Sequence, residues 1–77
     1  MKIQVFAVLK EYFDKEFELA DDIKDIGELK TRLSCLNQEA DGVLNISRFA
    51  INNEFVNSDH VIQAHDTICI FPPSSGG

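Results

Sequence analysis

Basic residues are scarce in this 77-residue chain: 7 lysines and arginines stand against 13 aspartates and glutamates, for a net charge of −6. A surface of that sign repels phosphate backbones, so nucleic acid and anionic membranes are poor candidate partners. Cysteine is scarce too. Cys35 and Cys69 form no Cys-x-x-Cys pair and have no histidine pair nearby, so both read as reduced apolar fillers of a cytosolic chain. No run approaches the ~20 apolar residues of a membrane span. The short alternating stretch after Lys2 lacks the pattern of a secretory signal, and the chain is expected in the cytoplasm. There is no phosphate loop of the Gly-x-x-x-x-Gly-Lys-Ser/Thr kind, no internal repeat and no interdomain linker.

What is present suits one small folded domain. Hydrophobic residues make up 44% and charged residues 26%, ordinary globular values. A chain of this length buries about 60% of its unfolded surface, enough for one modest core but not for a deep cofactor pocket. No cofactor is therefore expected on this chain. Residues 2–9 alternate as a strand, with Ile3, Val5, Ala7 and Leu9 on one face and Lys2, Gln4, Phe6 and Val8 on the other. Lys10 to Asp14 is a turn or a single helical turn. Residues 15–20 alternate again, Phe17 and Leu19 inward and Glu16 and Glu18 outward, which predicts a hairpin. Asp25 caps a helix, with Glu28 placed as in a capping box. Ile26, Leu29, Leu33 and Leu36 form its apolar stripe, and Gly42 suits a break after Asp41. Arg48 to Asn52 is a strand with Phe49 and Ile51 on one side. Asn52-Asn53-Glu54 is a turn, and Phe55-Val56 a short return strand. Thr67 to Phe71 is apolar on both faces, the mark of a strand inside a sheet. The order β-β-α-β-β-β gives an α+β fold, a sheet with one main helix laid across it.

The last six residues, Pro72-Pro73-Ser74-Ser75-Gly76-Gly77, cannot extend a sheet. The prolines lack amide donors and fix φ, so a domain of residues 1–71 is expected to give way to an extended, flexible tail of residues 72–77. A frayed terminus is the bland interpretation. The sharper one is delivery: without β-carbons, Gly76 and Gly77 can thread a channel that excludes any other side chain. That would carry a carboxylate into another protein's active site. A carboxylate is a poor electrophile, and ATP would have to convert it to an acyl-adenylate. With no phosphate loop in the sequence, activation must come from a partner.

The element order, the length and the segment Phe71-Pro72-Pro73-Ser74-Ser75-Gly76-Gly77 together resemble the ubiquitin-like sulfur carriers. Within them the terminal segment resembles the motif (F/I)-P-P-x-(S/T/A)-G-G of the small subunits of molybdopterin synthase. That resemblance implies a β-grasp fold with about five strands in a mixed sheet. It also implies that Gly77 is adenylated by a ubiquitin-activating-type enzyme and converted to a thiocarboxylate with sulfur from a donor protein. The tail would then enter the large subunit of a 2+2 heterotetramer and give its sulfur to a cyclic pyranopterin precursor, forming the dithiolene of molybdopterin. The chain itself would be a non-catalytic sulfur-donor subunit. The alternatives are a carrier for thiamine, cysteine or transfer-RNA thiolation, a ubiquitin-like modifier that acylates lysines, or an interaction domain with an inert tail.

Phe6, Phe55 and Phe71 are either core residues or, if they converge, an apolar docking patch around the tail's exit. Lys10 is either solvated or a rim ion-pair partner. With Pro72, Pro73, Ser74 and Ser75 these make up the candidate partner-binding set. His60 and His65, beside Asp59 and Asp66, read as surface turn residues and not as metal ligands, for want of a third converging donor.

Overall fold

A computed structural model describes residues 1–19 and 22–73. Five strands form one sheet: β1 (Lys2–Val5), β2 (Glu16–Glu18), β3 (Arg48–Ile51), β4 (Glu54–Val56) and β5 (Thr67–Phe71). Their order is β2-β1-β5-β3-β4. The β1 and β5 strands run parallel and all other pairs antiparallel, so the sheet is mixed. The doubly apolar β5 lies at its centre, as its sequence predicts. Helix α1 (Ile26–Leu36) packs on one face and leads through a 3-10 turn (Gln38–Ala40) into the short α2 (Asp41–Asn45).

Alternation in the strands sets the core. Ile3 and Val5, Phe49 and Ile51, and Ile68 and Ile70 all turn inward, where they cluster with Ile26, Leu29 and Leu33 of α1 and with Leu9 and Leu44. Leu29 and Leu33 are fully buried, each contributing about 1.5–3 kcal/mol by burial. The cap of α1 forms as its sequence predicts. The Asp25 carboxylate accepts from the Glu28 N–H at 2.9 Å, and the Glu28 carboxylate accepts in turn from the Lys24 N–H at 2.6 Å. The β3–β4 turn is built on Asn52 and Asn53 at φ 54° and 67°, the left-handed conformation that asparagine tolerates.

Four expectations need correction. The first strand does not run to Leu9: it ends at Val5, and a 3-10 turn takes over at Ala7–Glu11. Beyond Phe6 a parallel strand would have to pair with Pro72 and Pro73 in the register of β1 and β5, and prolines cannot donate to a ladder. The chain turns away instead, with Ala7 at φ 54°, and drops Leu9 into the core. Leu36 does not join the α1 stripe but is 58% exposed. The helix stops at Asn37, which takes extended dihedrals while its side chain accepts from the Glu39 N–H and donates to the Tyr12 carbonyl. Such local side-chain bonds compete with helix continuation. Gly42 accordingly lies inside α2 and not at a helix end. Cys35, finally, is exposed and no filler, whereas Cys69 is half-buried; both are free thiols.

Candidate functional site at the outer face of the sheet

The face of the sheet away from α1 carries the other half of the alternation, and the strand register arranges it in rows. One row runs Glu16, Gln4, Cys69, Ala50, Phe55. The next is built around Phe71, which stands opposite Arg48. On its other side lies Phe6, one residue past the end of β1, whose N–H still bonds to the Ile70 carbonyl at 3.2 Å. Strand pairing alone therefore brings together three phenylalanines distant in sequence.

They do converge. Phe6 stacks on Phe71 with ring centroids 4.6 Å apart and planes 11° from parallel. Phe55 meets Phe71 edge-on at 6.0 Å. Both geometries are favoured by the ring quadrupole. Phe71 is half-buried at the centre of the trio, while Phe6 and Phe55 remain 38% and 55% exposed. Together they form an exposed aromatic cluster on the outer face of a strongly charged chain. β5 ends at Phe71, and Pro72 and Pro73 follow directly, so the patch surrounds the root of the tail. Ser74, Ser75, Gly76 and Gly77 lie outside the described residues.

Around the aromatics the face is polar. Lys2 pairs with Glu16 at 3.4 Å, and Gln4 donates to the Glu16 carboxylate at 3.1 Å. The Cys69 thiol donates to Gln4 Oε1 at 3.4 Å, and burial pushes its pKa up from the usual 9.0. A thiol so held is a weak nucleophile. Lys10 is exposed on the 3-10 turn and has no ion-pair partner among the described residues. His60 and His65 are both exposed.

One residue of the site escaped the sequence reading. Arg48 opens β3 with its guanidinium carbon 3.8 Å from the centre of the Phe55 ring. The signal was available: if Phe49 and Ile51 point inward, Arg48 must point to the face that carries Phe55 and Phe71.

The mixed five-stranded sheet, its strand order and the helix it grasps define a ubiquitin-like β-grasp protein. The chain belongs to the ThiS family, whose pattern matches residues 3–77. No curated protein matches the sequence. Among solved structures, SAMP1 from Haloferax volcanii, a small archaeal modifier protein, superposes with a TM-score of 0.82 at 20% identity, covering 99% of this chain and 97% of that one. A complex of subunits 1 and 2 of molybdopterin-converting factor from Helicobacter pylori holds a chain with TM-score 0.72 at 22% identity, covering 99% and 96%. A candidate subunit 1 of the same factor from Pyrococcus furiosus gives 0.75 at 19%, covering 95% of each chain. At these identities the likeness is one of fold. Among the described residues, no helix is long and apolar enough to cross a membrane.

Proposed function

We propose that the chain is the sulfur-carrier subunit of molybdopterin synthase. The observation that carries this reading is the aromatic trio of Phe6, Phe55 and Phe71 set around the root of a Phe-Pro-Pro-x-x-Gly-Gly segment. A patch so placed can dock the domain on a partner while the tail reaches into that partner's active site, which makes delivery effectively intramolecular. Within this reading the Gly77 carboxylate attacks the α-phosphorus of ATP on an adenylating enzyme, releasing pyrophosphate. Sulfide equivalents from a donor protein then displace AMP and leave a thiocarboxylate. The thiocarboxylate sulfur is a soft nucleophile that bonds to the pyranopterin precursor in the large subunit; water then cleaves the acyl–sulfur bond, which leaves the sulfur on the precursor and regenerates the Gly77 carboxylate. Pro72 and Pro73 keep the stem extended, and Ser74, Ser75 and Gly76 are small enough to follow Gly77 into a narrow channel. The ThiS-family match and the solved complex of subunits 1 and 2 of molybdopterin-converting factor support this assignment.

Intact-mass analysis of the native protein tests it. The expected product is a species in which one oxygen of Gly77 is replaced by sulfur, and which converts precursor to molybdopterin when mixed with the large subunit. A terminus that stays a plain carboxylate in the presence of activating enzyme, ATP and sulfur donor overturns the reading. Conjugates through Gly77 to lysines of other proteins would point to a modifier instead.

A further inference from the structure

We infer that Arg48, at the edge of a cleft that Lys30 also lines, stands beside the aromatic patch and receives a carboxylate side chain of the protein accepting the tail. This inference rests on the carrier reading above and deepens it by naming the chemistry of the partner's surface. The charge pattern is the first observation. The chain carries a net charge of −6, yet a cleft of about 340 Å³ where β3 begins and β4 ends is lined by Lys30 and Arg48 and by no acidic residue. The second is that the Arg48 guanidinium makes no ion pair among the described residues. The other arginine, Arg32, pairs with Asp22 at 3.3 Å, whereas among the described residues no carboxylate or carbonyl accepts from the Arg48 guanidinium.

Arg48 is nonetheless held in place. Its guanidinium lies 3.8 Å from the Phe55 ring centre, and Lys30 Nζ lies 5.7 Å from that of Phe49. Stacking fixes a guanidinium while leaving its edge donors open, and guanidinium geometry matches a carboxylate in bidentate fashion. Register adds the third observation: Arg48 stands opposite Phe71, so the cation sits at the end of the sheet where the tail departs. Docking the trio on a purely apolar surface would bury this charge unpaired, which is costly. A partner surface with an aspartate or glutamate at that point is selected, and one with a cation there is rejected.

The test is the affinity of the full chain for its own molybdopterin synthase large subunit, measured by calorimetry at low and at moderate salt for wild type, R48K, R48L and R48E. Arg48 is exposed, and circular dichroism checks that each variant folds. The expected result is binding by wild type that weakens with salt. R48E should lose about tenfold or more at low salt with a flatter salt dependence, and R48K should fall between, as for a close charge pair at an interface. R48L binding as tightly as wild type with the same salt dependence overturns the inference while leaving the carrier reading intact. Wild type that binds neither the large subunit nor the activating enzyme overturns both.

Discussion

Among the described residues, Ala7 is the place where the backbone departs furthest from what its side chain prefers, and replacing it by glycine should stabilise the protein. Its φ of 54° lies in the left-handed region, which costs an L-residue about 1–2 kcal/mol. Glycine escapes that cost but gives back about 0.4–1 kcal/mol through the greater freedom of its unfolded chain. The difference favours Ala7→Gly by about 0.5–1 kcal/mol. For a domain of 60–100 residues 1 kcal/mol shifts Tm by about 4–8 °C, so a rise of about 2–8 °C is expected in a thermal melt followed by far-UV circular dichroism. Asn53 supplies the control. It sits at φ 67°, but asparagine tolerates this conformation, so Asn53→Gly should gain less. A lower Tm for Ala7→Gly, or a gain no larger than that at Asn53, would refute the argument. It would mean that the turn after β1 is held by something other than the need to leave the sheet and bury Leu9.

Asp25→Ala removes the side-chain acceptor of the Glu28 N–H and should cost about 1 kcal/mol of stability, read as a shift in the urea midpoint at constant slope. Phe71→Ala deletes both ring contacts of the trio, worth about 0.5–1.5 kcal/mol each, and should also abolish measurable docking on the large subunit. Phe13→Ala breaks the Phe13–Phe17 pair and should lower stability with docking intact; equal loss of docking in the two variants would contradict the assigned surface. Cys69 should alkylate more slowly than Cys35 in the native protein, and the two rates should converge in urea. The raised pKa of Cys69 also sets a sign: its folded value exceeds its unfolded one, so its contribution to stability is present below the usual thiol value of 9.0 and fades as pH climbs through the raised one. Native labelling of Cys69 as fast as Cys35 would show that the thiol is not shielded by the sheet.

The elements that were legible in the sequence are those whose signal is local. Period-two alternation in β3 and β5, the Asp25–Glu28 cap and the Asn52–Asn53 turn depend on neighbours a few residues away, and each stands where expected. Boundaries set by distant residues were not legible. Lys2 to Leu9 keeps one face apolar throughout, but the strand ends near the point where its partner β5 meets Pro72, across most of the chain's length. Leu36 continues an ideal stripe, but Asn37 finds the Tyr12 carbonyl and ends the helix first. The phenylalanine trio was conditional on convergence, and only the sheet order supplies that. The alternation of β3 already sets Arg48 on the outer face, but the Phe55 ring beneath it follows only from the pairing of β3 with β4.

The same alternation that builds the core also separates stability from recognition within single strands. In β5, Ile68 and Ile70 are fully buried against α1, while Cys69 and Phe71 between and beyond them face outward. In β1 and the residue after it, Ile3 and Val5 turn inward, and Gln4 and Phe6 face outward. A substitution on the outer face can therefore alter the aromatic patch at little cost to the core, as the docking role proposed for that patch requires. The arrangement has a corresponding weakness. A one-residue slip of β5 against β1 or β3 would turn Phe71 into the core and Ile70 to solvent, losing the trio and the core together. Register is secured at this end of the sheet by the Phe6 N–H to Ile70 carbonyl bond and by the two prolines, which leave no further donors with which a slipped strand could pair. Pro72 and Pro73 thus act on the fold before any role they have in a tail: they fix where the sheet ends, and with it where Phe71 stands.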